Sequence, residues 1–203
     1  VRAIFSIGNP GVRYQRTRHN AGFLILDSFA DLLSVEFKAA KGDYYFARGE
    51  LEQTQYFLIK PTTFVNRSGL AALQVLEEYK IELNNFLVIC DDVNIEAGKF
   101  RIRKYGGDGG HNGLASLVYH LKSDQFPRLR IGVGDDRKQE NLTSYVLDEF
   151  TREQFDILFR TFKVTNNLLC EFVKGGIKTM LDAHSKLFNT NSDSNNNQVN
   201  SRN

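Results

Sequence analysis

Between Asp91 and Gly113 the chain reads DDVNIEAGKFRIRKYGGDGGHNG, and three kinds of chemistry lie in that stretch. Asp91 and Asp92 close the apolar run FLVIC (86–90), which puts an acid at the end of a buried strand. Lys99, Arg101 and Arg103 alternate with Phe100 and Ile102. At the two-residue period of a strand, the cations form one row and the apolar side chains face the core. A glycine loop, 106–113, then delivers His111 and Asn112 to the start of a helical pattern. Guanidinium groups beside such a loop suit a phosphate-bearing ligand. Glycines let backbone come close to a ligand, and a helix start offers free N–H groups to an anion or oxyanion. The loop has neither the GK[ST] ending of a P-loop nor the GxGxxG spacing of a dinucleotide site. RLRIGVG (128–134) repeats the alternation, with Arg128 and Arg130 on one face and Leu129 and Ile131 on the other. Two cationic rows from separate strands clamp a phosphate better than one; a solvated edge strand protected by charge is the ordinary alternative.

Four histidines are available as bases: His19, His111, His120 and His184. His120 falls in a helical pattern and His184 precedes a polar tail, so packing or surface roles are expected for both. His19 lies in TRHNAGF (17–23), between a glycine turn and a helix. An Asp at a strand end can accept a hydrogen bond from one imidazole nitrogen. That fixes the tautomer and leaves the other nitrogen to take a proton from water. His19, His111 and Asp91 could instead hold a metal, but no HExxH or other short ligand spacing accompanies them. The acid–base pair ranks above a metal centre, and no metal or cofactor is expected.

The runs AIFSI (3–7), YFLIK (56–60), FLVIC (86–90) and RLRIGVG (128–134) read as buried strands. Helical patterns lie between them, at about 21–33, 69–79 and 113–121. Strands alternating with helices predict an α/β architecture with a largely parallel sheet. Phe155, Leu158, Phe159 and Phe162 fall at i, i+3, i+4 and i+7, an amphipathic helix. Leu168, Leu169, Phe172, Val173 and Ile177 continue or repeat that pattern. In open α/β sheets, ligands bind beyond the carboxyl ends of the strands. If the strands are parallel neighbours, Asn9, Asn66 and Asp91 converge on one pocket. Each alone is the ordinary residue of a turn or helix cap; their convergence is harder to dismiss.

A chain of 203 residues can bury one sizeable core, so a single domain over 1–184 is expected. A net charge of +2 permits a nucleic-acid partner without requiring one. Cys90 and Cys170 lie far apart in apolar patterns and belong to no paired zinc spacing, so both read as reduced core residues of a cytosol-like compartment. No apolar run is long enough to span a membrane. From Ser185 the chain turns Asn/Ser-rich, a composition that cannot bury a core, and a disordered tail is expected over 185–203.

Taken in order, GNPGVRYQRTRHNAGF (8–23), KPTTFVNRSG (60–69), DDVNIEAGKFRIR (91–103), GGDGGHNG (106–113) and RLRIGVG (128–134) resemble the successive signature blocks of bacterial-type peptidyl-tRNA hydrolases. The resemblance spans about residues 3–185 and implies one α/β domain with a twisted, mixed sheet flanked by helices. It implies hydrolysis of the ester joining a peptide to the 3′ ribose of tRNA, in the cytoplasm, by a monomer. Carried onto matching positions, it makes His19 the general base, Asp91 its partner and Asn9 the reader of the peptide. Asn66 and Asn112 would position the water, the ester or its oxyanion. Tyr14 and Phe64 would line the site, beside Gly109 and His111 of the glycine loop. Arg101, Arg103 and Arg130 would grip tRNA phosphate. Three positions depart from the pattern: Val65 for methionine, Asn94 for aspartate and Arg103 for lysine. The rival reading is a non-catalytic RNA-binding member of the same fold. The full set of His19, Asp91, Asn9, Asn66 and Asn112 counts against it, because binding alone needs no general base.

Overall fold

The computed structural model describes residues 1–135 and 141–196, with side chains as far as Leu187. In chain order the first half comprises β1 (Arg2–Ser6), α1 (Ala21–Leu32), β2 (Lys38–Ala39), β3 (Tyr44–Leu51), β4 (Thr54–Pro61) and α2 (Ser68–Tyr79). The second comprises β5 (Phe86–Glu96), β6 (Phe100–Arg103), α3 (Asn112–Leu121), β7 (Arg128–Gly134), α4 (Leu142–Leu147) and α5 (Arg152–Asn196). The strands form one sheet in the order β2-β3-β4-β1-β5-β7-β6. Its centre, β4-β1-β5-β7, is parallel, and the antiparallel β2, β3 and β6 extend it at the two edges. The expected mixed, largely parallel α/β sheet is therefore present, and its four central strands are the four read from the sequence.

Central strands buried on both faces carry continuous apolar runs rather than alternating ones. In β1, Ile4 packs toward α1 and α5, while Ala3 and Phe5 pack toward α2 and α3. Along β5, Leu87 and Ile89 join the first layer, and Phe86, Val88 and Cys90 the second. Cys90 and Cys170 are unpaired. Burial pushes the Cys90 thiol up to about 12, which makes it a packing group rather than a nucleophile. Among the described residues no helix is long and apolar enough to cross a membrane.

Two elements differ from the sequence reading. FLVIC does not end at Asp91: β5 continues to Glu96, with a bulge between Asp92 and Glu96 where its register against β7 shifts. The cause lies in β7. A Cβ on Gly132 would meet Glu96 O at 2.1 Å, and one on Gly134 would meet Val93 O at 2.2 Å. Only glycine lets the bulged backbone cross there. Asp91 is thus an internal strand residue, opposite Ile131. The second difference is α5, whose backbone stays helical through Asn196, past Ser185 where composition predicts disorder to begin. Extending an existing helix costs far less than nucleating one, so poor helix formers can ride on a packed segment. Residues 197–203 of the expected tail lie outside the described residues. Within α5 the helical geometry breaks at Gly176 (φ 76°), and Arg2 donates to the carbonyls of Val173 (2.5 Å) and Lys174 (3.1 Å) just before the break.

The helix α3, which begins with Asn112, is docked by close approach to α2. A Cβ on Gly69 would lie 2.1 Å from the Ser116 carbonyl oxygen, and Gly69 N–H donates to Ser116 Oγ at 3.0 Å. Gly69→Ala is expected to force the helices apart and cost about 1–3 kcal/mol, the usual penalty of overpacking. Urea unfolding measures this; a wild-type midpoint and slope would contradict the packing argument.

Candidate active site

At the carboxyl ends of β1, β4 and β5 lies a cavity of about 420 Å³. Its deepest polar group is Asp91, 2% exposed. One oxygen of that carboxylate, Oδ1, lies 2.7 Å from His19 Nδ1 and 2.9 Å from His111 Nε2. The tautomer of His111 follows from its other nitrogen. His111 is the N-cap of α3, and its Nδ1 accepts from the backbone N–H groups of Gly113 (3.0 Å) and Leu114 (3.3 Å). A neutral imidazole carries one N–H, so His111 donates from Nε2 to Asp91. A carboxylate can only accept, so His19 donates to it from Nδ1. The lone pair of His19 is then left on Nε2, in a ring that lines the cavity.

Burial alone would raise the Asp91 carboxyl, but the charges and hydrogen bonds of His111 and His19 outweigh it. They hold the group well below the usual carboxylate range. Asp91 therefore stays ionised throughout the range in which histidine exchanges protons. The same three side chains offer donor atoms within 4.8 Å of one another, the spacing of a three-ligand metal site. Ligands at zinc distances around a tetrahedral ion would sit about 3.3 Å apart. The 2.7 and 2.9 Å separations are those of direct hydrogen bonds.

His19 is held by a 3-10 turn, Arg18–Asn20, which runs directly into α1. Its two neighbours anchor that turn in opposite directions. Arg18, 5% exposed, donates to Tyr145 O (3.1 Å) and Gln154 Oε1 (2.9 Å) and stacks on the Tyr145 ring. Tyr145 belongs to α4, so Arg18 ties His19 to the α4 wall of the cavity. Asn20 stands at the N-cap position of α1 but makes no capping bond. Its Oδ1 accepts from Asn9 N–H (2.8 Å) and its Nδ2 donates to Asn9 O (3.0 Å). Asn9 Oδ1 in turn accepts from Val65 N–H (3.1 Å). The Asn9 amide orientation is thereby set, with Nδ2 remaining as the donor at the cavity wall.

Of the residues singled out in the sequence, His19, Asp91, Asn9, Tyr14, Phe64, Asn66, Gly109, His111, Asn112 and Arg130 all line this cavity. Asn66 lies in a 3-10 turn, Val65–Arg67, and Asn112 opens α3; both side chains are exposed and both face the cavity. Tyr14 and Phe64 meet edge to face, with ring centroids 6.2 Å apart. Arg101 and Arg103 do not line the cavity. They lie exposed on the edge strand β6, with Arg101 directly opposite Arg130 and Arg103 opposite Arg128. Lys99, at the start of their row, is 2.6 Å from Glu96.

The second cationic row needs correcting. Arg128 is fully buried, donates to Gly107 O (2.8 Å) and Asp124 O (3.1 Å), and stacks on Phe126. Its guanidinium fastens the glycine loop from within, because a buried cation must find acceptors where it lies. Arg130 does reach the cavity, but as an ion pair, with Nε 2.8 Å from Asp92 Oδ2 in a geometry too bent for a good hydrogen bond. Sequence reasoning missed Asn20, Arg18 and the α4 wall of Leu142, Thr143, Val146 and Leu147. The one signal for α4 was Asn141 before a short apolar run, and Asn141 Oδ1 accepts from Ser144 N–H as an N-cap.

Comparison with known proteins bears on this site. The sequence matches the peptidyl-tRNA hydrolase family over residues 3–195. It is 39% identical to the peptidyl-tRNA hydrolase of Lachnospira eligens over 84% of this chain and 90% of that one. It is 37% identical to that of Chlorobium luteolum over 92% and 98%. The crystal structure of peptidyl-tRNA hydrolase from Acinetobacter baumannii superposes with a TM-score of 0.84 at 30% identity, covering 90% of this chain and 93% of that one. With the family matched along nearly its whole length, and its fold shared by a solved member, the chain belongs to the peptidyl-tRNA hydrolases.

Proposed function

We propose that this chain hydrolyses the ester between a peptide and the 3′ ribose of tRNA, with His19 as general base and Asp91 as its partner. One observation carries the reading: Asp91 Oδ1 takes a hydrogen bond from each of two imidazoles, which fixes the His19 tautomer. His19 Nε2 removes a proton from water as the oxygen attacks the ester carbonyl. Asp91 stabilises the imidazolium that forms. Negative charge develops on the carbonyl oxygen; the amides of Asn66 and Asn112, which line the cavity, are suited to donate to it, and the N-terminal dipole of α3 favours it. The ester C–O bond then breaks, and the His19 proton passes to the departing 3′ oxygen. Asn9 Nδ2 is suited to donate to a peptide carbonyl, the group that an unblocked aminoacyl-tRNA lacks.

In this reading His19 and Asp91 act on water directly, and no metal or organic cofactor is called for. Tyr14 and Phe64 offer apolar faces to the acceptor end. The exposed Arg101 and Arg103, one strand beyond Arg130, supply cations for tRNA phosphates. Such contacts carry little sequence information and suit an enzyme that meets many tRNAs. A cytoplasmic location and action as a monomer join the proposal through the family likeness alone.

His19→Ala is expected to slow release of tRNA from N-acyl-aminoacyl-tRNA by on the order of 10³-fold while leaving tRNA binding intact. The wild-type rate should survive a chelator, and unblocked aminoacyl-tRNA should be a poor substrate. Normal turnover by the variant would sink the base assignment, and loss of activity with chelator would return the three-residue cluster to metal chemistry. Binding of deacylated tRNA should weaken as salt rises, and Arg103→Ala should reduce that logarithmic slope by about 1. An unchanged slope would remove β6 from the tRNA contact.

A further inference from the structure

A buried cation stands next in the chain to the proposed base, yet it does not line the catalytic cavity. The Arg18 guanidinium meets only neutral partners: Tyr145 O, Gln154 Oε1 and the face of the Tyr145 ring. No carboxylate pairs with it among the described residues, and its Nε finds no acceptor. A buried charge met in this way costs free energy that an apolar side chain filling the same space avoids. A spacer has no need of it. We propose that Arg18 is a positioning residue for hydrolysis, coupling the α4 wall of the cavity to the orientation of His19. The proposal rests on His19 as general base and adds what sets that ring in register with the wall.

The turn that carries both residues makes the coupling possible. At three residues per 3-10 turn, successive side chains leave about 120° apart. Arg18 therefore turns away from the cavity as His19 turns toward Asp91. On its far side Arg18 holds two helices at once. Gln154 belongs to a capping box that starts α5: its Oε1 accepts from Thr151 N–H (3.2 Å), and its own N–H donates to Thr151 Oγ1 (3.2 Å). The same Oε1 takes a hydrogen bond from Arg18 Nη2 (2.9 Å). Tyr145, whose carbonyl takes Nη1, donates its hydroxyl to Val133 O (2.6 Å) near the end of β7.

Backbone contacts reinforce this junction. Arg18 N–H donates to Asp148 O (3.0 Å), Phe150 N–H donates to Arg16 O (3.0 Å), and Thr17 bridges Glu149. Val146 follows Tyr145 directly and lines the cavity, as do the exposed Leu142 and Leu147. One side of α4 thus faces Arg18 and the other faces the space where substrate lies. Contact with α4 seats the Tyr145 carbonyl against Arg18, and through the 3-10 turn it steadies the imidazole against Asp91.

Three variants test this: Arg18→Met, Gln154→Leu and Gln154→Glu, the last keeping an acceptor for both Arg18 and Thr151. Release of tRNA from N-acyl-aminoacyl-tRNA is the activity measured. Arg18→Met is expected to lower kcat on the order of 100-fold, the scale of a group misplaced by about 1 Å, with KM and the Kd of deacylated tRNA unchanged. Gln154→Leu should lower kcat less, and Gln154→Glu should keep the wild-type value. Nitrogen-15 NMR adds a readout that lost packing alone does not move: neutral His19 should lose its fixed Nδ1–H tautomer in Arg18→Met. Val146→Ala should lower kcat in the wild-type background but add nothing to Arg18→Met, the non-additivity of a shared path. A wild-type tautomer in Arg18→Met, or full additivity with Val146→Ala, overturns the coupling. A loss in KM or tRNA binding instead of kcat overturns it by making Arg18 a substrate contact. Should Arg18→Met fail to fold, equal kcat in the two Gln154 variants overturns the proposal and the expected difference supports it. A wild type that releases no tRNA defeats the hydrolase reading instead, and the tautomer comparison still tests Arg18.

Discussion

A single carboxylate oxygen, Asp91 Oδ1, receives two imidazole N–H groups, and most of the site follows from that sharing. An ionised carboxylate in a buried position is costly unless it is paired. The two histidines meet that cost, and each is constrained in return. His111 can donate from Nε2 only because its Nδ1 caps α3, so the orientation of a helix is linked to the charge at the centre of the sheet. His19 can donate from Nδ1 only because a buried 3-10 turn holds it over β5. The fold therefore orients the proposed base, His19, before any substrate arrives, which is the condition for electrostatic catalysis without reorganisation.

The surrounding scaffold keeps the two imidazole rings and the carboxylate in place by hydrogen bonds to backbone and amide groups. Asn20 grips the main chain of Asn9, Asn9 grips Val65, and Arg18 grips α4, so turns from four separate elements are fastened to one another. The glycines of β7 let the bulge of β5 fold over the sheet and bring Asp92, Val93 and Asn94 to the cavity. Charge is then graded across the sheet. Arg128 is buried as a structural tie, Arg130 is paired with Asp92, and Arg101 and Arg103 stand exposed at the edge.

Much of this was legible in the residues. FLVIC, YFLIK, AIFSI and RLRIGVG announced the central strands because burial on both faces leaves no room for polar alternation. TRHNAGF and GGDGGHNG pointed to the cavity because a strand-end acid could orient a histidine as base and because glycines let backbone approach a ligand. Each histidine or asparagine alone is ordinary at a helix start. The strand β3 escaped notice because Arg48, Gly49 and Glu50 interrupt its apolar pattern, and its pairing with β4 is what makes it a strand. Arg128 and Arg130 are indistinguishable by spacing; only the packing of Phe126 and the glycine loop buries one and leaves the other at the cavity. The structural use of Asn20 was hidden for a similar reason, since an asparagine ahead of a helix reads as a cap and its bond to Asn9 depends on tertiary contact.

The central claim is that Asp91 holds neutral His19 as the Nδ1–H tautomer, with Nε2 facing the cavity as the acceptor. Nitrogen-15 NMR of imidazole-labelled protein, with His19 assigned by comparison with His19→Ala, reads that directly through the distinct shifts of protonated and unprotonated ring nitrogens. The account predicts a protonated Nδ1 and an unprotonated Nε2 in the neutral ring of the free enzyme. A neutral His19 carrying its proton on Nε2 would contradict it.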